Sequence, residues 1–226
     1  MSEDAEGRVE RVRAVFDQWA QGTAADDMAS SHWPVARVVL ERLALRRDAR
    51  FLDIGCGNGY AVRWAATAAP KGHAVGIDVA PEMIALAKRL SVSHDNVEFR
   101  VARFPGAAPV QAPPLAPGAF DACFSMEVFY YLPDLDAALR ETLSLLVPGG
   151  RFACAVDYYA ENAASHSWPA DVGVPMTLLG ESGWREAFMR AGFANVRQER
   201  IRQPAGTATA GWKVTEGTLL TLGERA

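Results

Sequence analysis

Apolar segments alternate with amphipathic helical segments from Arg50 onward, and this alternation constrains the fold more than any other feature of the sequence. Strands alternating with helices of this length imply parallel pairing, right-handed crossovers and a sheet covered on both faces. The sequence therefore predicts an α/β fold. The predicted strands are 50–54, 73–77, 97–101, 119–125 and 151–157, and the predicted helices are 58–69, 81–91, 134–146 and 181–191.

Two further regions flank this core. Apolar residues at helical spacing predict an amphipathic helix over 7–20, and a polar stretch separates it from a second helix over about 34–45. Two last strands are predicted over about 194–202 and 210–220. We expect one domain of 226 residues, with a helical cap over 1–48, a core over 49–157 and a substrate-side segment over 158–226.

Charge and hydropathy exclude several classes of protein. The pI is about 5.6 and no block of Lys or Arg is present, so no nucleic-acid partner is expected. The first ten residues, MSEDAEGRVE, are acidic and lack the apolar core of a secretion signal. Since no apolar run approaches the roughly 18 residues of a membrane span, we expect a cytoplasmic protein without a membrane partner.

The three cysteines carry no recognisable metal or disulfide pattern. Cys56, Cys123 and Cys154 are far apart and have no CxxC or CxxH partner. We expect three buried thiols in a reducing compartment and no metal site.

One connection interrupts the alternation. RFPGAAPVQAPPLAPG, between the third and fourth strands, contains Pro105, Pro109, Pro113, Pro114 and Pro117. Proline removes backbone donors and disrupts helix interiors, so an ordered, irregular loop is predicted instead of a crossover helix.

A glycine-rich turn follows the first strand, in FLDIGCGNGY. Gly55, Gly57 and Gly59 permit positive φ angles and let the backbone lie against a ligand at the carboxyl end of a strand. The GxxxxGK[ST] pattern of a nucleoside triphosphate loop is absent. The spacing is also GxGxG, not the GxGxxG of dinucleotide enzymes, and Asp53 would repel a pyrophosphate while suiting a cationic or amino group.

A second acidic residue ends the second strand, in GIDVAPEM. One carboxylate can accept two donors, so Asp78 is placed to bind both hydroxyls of a ribose. Val79 is placed to cover one face of an adenine. An acidic residue at this position occurs in nicotinamide enzymes as well as in methyltransferases, so Asp78 alone does not separate them.

Four segments together, FLDIGCGNG, GIDVAPEMIALAK, FDACFSMEVFYYLPD and LLVPGGRF, resemble the class I S-adenosylmethionine-dependent methyltransferases in order and spacing. The resemblance covers roughly residues 50–157. It implies a Rossmann-like, mostly parallel seven-stranded sheet with helices on both faces, an antiparallel last strand and an N-terminal helical lid. It also implies S-adenosylmethionine as cofactor.

The resemblance assigns roles to particular residues. It implies that Asp53 and the three glycines hold the methionine portion of the cofactor, and that Asp78 holds the ribose. Ser125 and Met126, at the end of the fourth strand, would lie near the centre of the cofactor. The negative charges of Asp53, Asp78 and Glu127 suit a sulfonium cation.

The sequence departs from the family after the third strand. Many relatives have Gly-Asp-Ala there, with an aspartate that reaches the adenine amino group, whereas this chain has Ala102-Arg103-Phe104. Arg103 and Phe104 are therefore expected at an adenine site held by backbone groups and stacking, and exposure of Arg103 to solvent is the alternative.

The segment after strand four indicates the kind of acceptor. Enzymes that methylate adenine or glutamine amino groups carry Asn/Asp-Pro-Pro-Tyr/Phe there, and this chain has Ser-Met-Glu-Val. We therefore expect methyl transfer to a small organic acceptor by in-line displacement. Alignment supplies most of the acceleration in such a reaction, roughly 7–11 kcal/mol, so a general base is useful but not obligatory.

Candidate acceptor-site residues come from two segments that both contain His and Trp-Pro. DYYAENAASHSWP leaves the fifth strand at its carboxyl end and supplies His166 as a catalytic candidate and Tyr158 and Trp168 as pocket walls. SSHWP, interpreted as a polar hinge between the N-terminal helices, supplies His32 and Trp33. Glu127 is a third catalytic candidate.

Three alternatives stay open on the sequence. A nicotinamide-dependent oxidoreductase is disfavoured by the glycine spacing and by Asp53. A non-catalytic S-adenosylmethionine-binding protein is compatible with the change at 102–104. A methyltransferase acting on protein or RNA stays as the runner-up, because local surfaces cannot be read from the sequence, which also leaves the oligomeric state open.

Overall fold

The structure, a computed structural model, describes residues 3–106, 115–206 and 210–226. Within these ranges, seven strands form one sheet in the order β3-β2-β1-β4-β5-β7-β6. All neighbouring strands are parallel except at β7, which is antiparallel to both β5 and β6. The strands are β1 Arg50–Ile54, β2 His73–Asp78, β3 Val97–Val101, β4 Phe120–Met126, β5 Leu146–Val156, β6 Ala194–Ile201 and β7 Thr218–Glu224.

Helices cover the sheet, as the sequence predicts for parallel strands buried on both faces. Within the described residues they are α1 Glu3–Ala20, α2 Ala24–Arg42, α3 Tyr60–Ala68, α4 Pro81–Leu90, α5 Leu135–Leu145, α6 Trp168–Val172, α7 Glu181–Ala191 and α8 Trp212–Thr215. The predicted Rossmann-like, mostly parallel seven-stranded sheet is confirmed. No helix of the described residues is both long enough and apolar enough to cross a membrane.

The strand order reverses between β1 and β4, which are neighbours in the sheet. The chain runs from β1 through β2 to β3 on one side and returns through β4 and β5 on the other. Ligands of open α/β sheets bind at the carboxyl ends of the strands beside such a reversal. The glycine turn, Asp78 and Glu127 lie at this edge of the sheet.

The N-terminal helices lie over this edge and are fixed there by polar contacts. The backbone N–H of Glu82 donates to Asp17 Oδ1 at 3.0 Å, and Asn58 Nδ2 donates to Asp26 Oδ1 at 3.2 Å. Arg8 donates to the Tyr130 carbonyl at 2.7 Å. The predicted N-terminal cap is thus present over the carboxyl ends of the strands.

The predicted hinge at 30–34 is wrong, because these residues lie inside α2, which begins at Ala24 and includes Pro34. Proline removes one intrahelical hydrogen bond and usually interrupts a helix. The carbonyl that Pro34 leaves without its helical donor is that of Ser30, and the adjacent Ser31 carbonyl oxygen lies 3.2 Å from Lys213 Nζ and 3.4 Å from Gln203 Nε2. The buried face formed by Val35, Ala36, Val39 and Leu40 packs α2 on the protein.

The predicted strand 210–220 is only partly correct. Residues 212–215 form the short helix α8, and β7 begins at Thr218. Gly217, between them, has a φ of +77° and ends this turn. The helix places Lys213 against α2 instead of in a sheet.

Three other predicted elements begin earlier than expected: α1 at Glu3 instead of 7, α2 at Ala24 instead of about 34, and β5 at Leu146 instead of 151. The other predicted strands and helices agree within two residues at each end. Each of the three cysteines is buried and free. Pro109, Pro113 and Pro114 of the proline-rich loop lie outside the described residues.

Candidate functional site

The glycine turn folds back on the end of β2. The backbone N–H groups of Gly55 and Cys56 donate to the Ile77 carbonyl at 2.8 and 3.0 Å, and that of Gly57 donates to Asp78 Oδ2 at 2.9 Å. Gly55, Gly57 and Gly59 have φ angles of +78°, +50° and +79°. L side chains rarely adopt such angles, so glycine is required to expose this backbone to a ligand.

Asp78 joins the glycine turn to the start of α4. Its Oδ1 accepts from the Ala80 N–H at 2.9 Å, and its Oδ2 accepts from Gly57. Each carboxylate oxygen has a second lone pair, so both oxygens can still accept a hydroxyl hydrogen from a ligand. The carboxylate is therefore held in place for the ribose contacts expected of it.

Asp53 lies beneath the glycine turn and is 2 % exposed. Burial and the nearby Asp78 raise the pKa of Asp53 well above its usual value. Its side chain has no hydrogen-bond partner among the described residues, and it does not line the cleft described next. A bound cation beside Asp53 would stabilise its ionised form.

A first cleft runs over the glycine turn between the sheet and the N-terminal helices. Of the predicted cofactor residues, Asp78, Val79, Arg103, Phe104 and Met126 line it together with Gly55 and Gly57. Ser125 does not, since its buried hydroxyl donates to the Ile54 carbonyl at 2.7 Å and joins β4 to β1.

The first cleft fits the nucleoside and amino-acid ends of S-adenosylmethionine. Gly57 leaves its backbone open to a ligand, because a Cβ added there would meet only Met28 Cε, at 4.0 Å. Gly59 does not line the cleft, and a Cβ there would lie 2.7 Å from Phe99 Cε1. Arg103 faces the cleft, and its Nη2 is buried without a hydrogen-bond partner among the described residues. An arginine guanidinium stacks on aromatic rings, so Arg103 can cover an adenine in place of the aspartate found in many relatives.

A second cleft opens beside the first and shares five residues with it, including His32 and Glu127. Aromatic rings dominate its wall. Phe16 lies 5.1 Å from Trp19 and 5.6 Å from Tyr131, measured between ring centroids, and Tyr131 lies 4.5 Å from Tyr130. Trp168 of α6 also lines this cleft.

His32, Glu127 and Asp157 form a polar cluster at the junction of the two clefts. One ligand atom of each lies within 4.8 Å of the other two. Glu127 Oε2 accepts from the Tyr130 hydroxyl at 2.9 Å, and Oε1 accepts from the Asp157 N–H at 2.5 Å. Asp157 Oδ1 is buried and has no hydrogen-bond partner among the described residues.

The surroundings of this cluster shift the pKa of each of its three members. Burial and the nearby Lys213 ammonium lower the pKa of His32 to about 4, so the imidazole is neutral at pH 7. Burial and the Asp157 carboxylate raise the pKa of Glu127 well above its usual value. Burial also raises the pKa of Asp157, against the opposing effects of Thr218 and Lys213. Perturbed groups that converge in a cleft are typical of functional sites.

The raised pKa of Asp157 predicts a pH-dependent stability. A carboxyl group whose pKa is higher in the folded than in the unfolded protein stabilises the fold at pH values below its unfolded pKa. This stabilisation is lost as the pH rises through the folded pKa, and for Asp157 the window runs from 3.8 to about 6. We expect the stability of the Asp157→Asn variant, relative to the wild type, to increase as the pH rises through this window. The difference between their melting temperatures at pH 4 and at pH 7.5 measures this change, and 1 kcal/mol corresponds to ~2–4 °C at this chain length.

The matched control is Asp95→Asn, which changes an exposed carboxyl in the turn before β3. Its melting temperature should follow that of the wild type at every pH. An Asp157→Asn variant whose difference from the wild type is the same at both pH values would contradict the prediction.

Three predicted acceptor-site residues lie outside the two clefts. His166 is exposed, and its Nε2 lies 3.0 Å from the Ala160 carbonyl. Tyr158 is buried behind Trp168, with ring centroids 6.4 Å apart. Trp33 packs edge-on against Tyr60, at 6.1 Å. Of the three catalytic candidates, the structure brings together His32 and Glu127.

Several residues of the site were not among the predicted site residues. Tyr130 and Tyr131 follow β4 in FYYL, where the aromatic run was the available signal. Asp157 follows β5 and opens the candidate segment DYYAENAASHSWP, at the edge of the sheet where ligands bind. Lys213 gives no local signal, because only α8 brings it to the cluster.

Comparison with known proteins agrees with this geometry. Residues 52–154 match the family described as "Methyltransferase domain". The ubiquinone biosynthesis O-methyltransferase of Xanthomonas campestris pv. campestris is 39% identical over 113 residues, which are 50% of this chain and 44% of that protein. The tRNA U34 carboxymethyltransferase of Cellvibrio japonicus is 33% identical over 136 residues, 59% of this chain and 40% of that protein. The chain thus spans about half the length of these curated relatives.

A solved structure at 33% identity matches nearly the whole chain. It is a chain from the complex between the Haloferax volcanii Trm112 methyltransferase activator and the putative methyltransferase, with 33% identity and a TM-score of 0.80. The match covers 93% of this chain and 97% of the other. The glycine turn, Asp78 and the sheet order agree with the same conclusion: this chain belongs to the class I S-adenosylmethionine-dependent methyltransferases, and its cofactor is S-adenosylmethionine.

Proposed function

We propose that this protein transfers a methyl group to a small organic acceptor by in-line displacement. The observation that carries the proposal is the junction of the two clefts, where His32 and Glu127 line both. A cofactor in the first cleft would then meet an acceptor in the second without intervening protein. The bound cofactor supplies a methyl group that is already activated for transfer.

The chain's own residues position the acceptor and remove its proton. His32 is neutral at pH 7 and half-buried, so it can accept a proton directly at the junction. Glu127 has a φ of +61°, a left-handed backbone that directs the chain after β4 into the cleft. Trp168 would bind the acceptor, with Tyr158 supporting the tryptophan from behind.

The remaining assignments complete this proposal. Asp53, the glycine turn and Asp78 would hold the cofactor, with Val79, Arg103, Phe104 and Met126 around the adenosine. Ser125 would contribute to the cofactor site indirectly, through the hydrogen bond that its hydroxyl donates to the Ile54 carbonyl of β1. The domain division is also proposed: a cap over 1–48, a cofactor core over 49–157 and a substrate-side segment over 158–226.

Calorimetric titration with S-adenosylhomocysteine tests the cofactor site, with NAD as the control ligand. Micromolar binding to the first ligand alone is expected. A screen of small acceptors for release of S-adenosylhomocysteine then tests the activity. Binding without turnover of any acceptor would favour a non-catalytic cofactor-binding protein.

The His32→Gln variant should lose about 10²–10⁴-fold in kcat, the usual contribution of a general base. Its dissociation constant for S-adenosylhomocysteine should stay within about threefold of the wild type, because the glycine turn and Asp78 are unchanged. The matched control is His94→Gln, in a surface turn where His94 contacts Ser93. If His32→Gln retained the kcat of the wild type, His32 would not be the base.

A second candidate function is methylation of a macromolecule with the help of an activator protein. It is favoured by the similarity to the chain in the Trm112 complex. The edge strand β3 would offer free backbone groups to such a partner, and Val92, in the preceding turn, is 85% exposed. Co-elution with Haloferax volcanii Trm112 in size-exclusion chromatography, lost on Val92→Asp, would favour this function.

A further inference from the structure

We propose that the second cleft takes an organic cation, and that the methyl acceptor is an amine bound there as its ammonium form. This inference rests on the proposed function, since it names the substrate class of the same site. It depends on the aromatic wall of the cleft, on the charges of the buried cluster and on one unsatisfied carboxylate oxygen.

The aromatic wall of the cleft runs from Trp19 through Phe16 and Tyr131 to Tyr130, with neighbouring ring centroids between 4.5 and 5.6 Å apart. Trp168 lines the cleft as well. Tyr158, buried behind the cleft, links Tyr130 to Trp168, at centroid distances of 5.5 and 6.4 Å. Aromatic faces attract cations, and grouped rings of this kind bind organic ammonium ions.

The charges on the cleft have one sign. Asp27 and Asp171 are exposed at its rim, and Glu127 is buried at its inner end. No lysine or arginine is among the described residues that line it. A neutral or anionic acceptor would gain nothing from this arrangement, whereas a cation is attracted from the rim inward.

The buried cluster has two carboxyl groups and one fixed positive charge, the Lys213 ammonium. Burial raises the pKa of both Glu127 and Asp157, so a cation bound beside them would favour their ionised forms, and Lys213 balances only one of the two. A monovalent ammonium would bring the sum to zero, while a divalent metal ion would leave an excess positive charge in a buried site. Buried charges are stable only when paired, so the cluster suits an ammonium better than a metal.

Asp157 supplies the unsatisfied atom. Asp157 is 2 % exposed, and its Oδ1 has no hydrogen-bond partner among the described residues. A buried acceptor oxygen without a donor costs free energy, and native structures usually provide a partner. An N–H group of a bound ammonium would be such a donor.

The chemistry balances with these residues. The bound ammonium gives one proton to the cluster of His32, Glu127 and Asp157, which exposes the nitrogen lone pair. That lone pair forms the new N–C bond to the methyl carbon, while the C–S bond breaks and its electron pair stays on sulfur. The products are the methylated ammonium ion, S-adenosylhomocysteine and one proton, which the cluster releases to water.

The test compares choline with its uncharged carbon isostere, 3,3-dimethylbutan-1-ol, by calorimetry on the protein saturated with S-adenosylhomocysteine. Choline has no N–H and cannot react, so the comparison isolates the charge. We expect choline to bind at least about tenfold more tightly than the isostere. Equal affinity for the two, or binding of neither, would overturn the inference.

Two variants test which side chains of the second cleft cause the preference for choline. Trp168→Leu and Glu127→Gln should each reduce the preference for choline at least about threefold, while the control Glu186→Gln, on the exposed face of α7, should leave it unchanged. Retained S-adenosylhomocysteine binding shows that the variants are folded. A preference that neither variant changes would overturn the inference.

The competing uses of the cluster give different results. If the cluster serves the sulfonium of the cofactor, Glu127→Gln will weaken binding of S-adenosylmethionine relative to S-adenosylhomocysteine and leave the choline preference intact. If it serves a metal, Mg²⁺ or Zn²⁺ alone will bind and Asp157→Asn will abolish that binding. Either result overturns the inference, whereas failure of the wild type to bind S-adenosylhomocysteine would overturn the proposed function itself.

Discussion

Asp78→Ala should weaken S-adenosylhomocysteine binding by at least about 100-fold, the largest effect expected of any single change at the cofactor site. Hydrogen bonds to a charged group contribute about 1.5–3 kcal/mol each, and two ribose hydroxyls would lose theirs. The substitution also releases the N–H groups of Gly57 and Ala80 that Asp78 now holds. Calorimetric titration measures the loss directly.

Asp95→Ala is the matched control, since Asp95 is exposed in the turn before β3. It should bind S-adenosylhomocysteine as the wild type does. Asp78→Asn separates charge from shape, because an asparagine oxygen can still accept one of the two backbone N–H groups. An Asp78→Ala variant with affinity within threefold of the wild type would remove the ribose assignment.

Gly55→Ala should lower the melting temperature by about 5–15 °C. The residue has a φ of +78°, which costs a side chain about 1–3 kcal/mol. Its Cβ would also lie 2.3 Å from Val128 Cγ2, an overlap that costs about 1–3 kcal/mol more. At this chain length 1 kcal/mol corresponds to ~2–4 °C, and thermal unfolding gives the value.

Gly118→Ala isolates the backbone contribution, because Gly118 has a φ of +63° and open space around it. The double variant Gly55→Ala with Val128→Ala removes the colliding methyl groups and should recover part of the lost stability. If Gly55→Ala were no less stable than Gly118→Ala, the close approach of Val128 would play no part in the turn.

The cofactor half of the site was predictable because its signals are local. Gly55, Gly57 and Gly59 are required by backbone angles that other residues rarely adopt, and Asp78 ends a strand whose apolar run identifies it. Parallel strands bring their carboxyl ends to one edge of the sheet, so these residues meet in any fold of this class. The same rule placed Glu127 and Asp157 at that edge.

The acceptor half depended on contacts between distant residues. His166 stands in the richest local cluster of reactive side chains, yet its own side chain is exposed and its ring contacts a backbone carbonyl, while Trp168 of the same segment lines the second cleft. His32 stands in a segment whose proline predicts a helix boundary, yet α2 continues through Pro34 because Lys213 and the core support it.

The sequence by itself determined the α/β fold, the sheet edge that carries the site and the cofactor, since periodicity and glycine geometry act within a few residues. Only the tertiary structure decided that His32 meets Glu127 and Asp157, that aromatic rings from α1, α6 and the turn after β4 form one wall, and that Lys213 lies beside them. These residues are separated by tens to nearly two hundred positions in the chain. Their meeting depends on how the helices pack over the sheet, which no local pattern encodes.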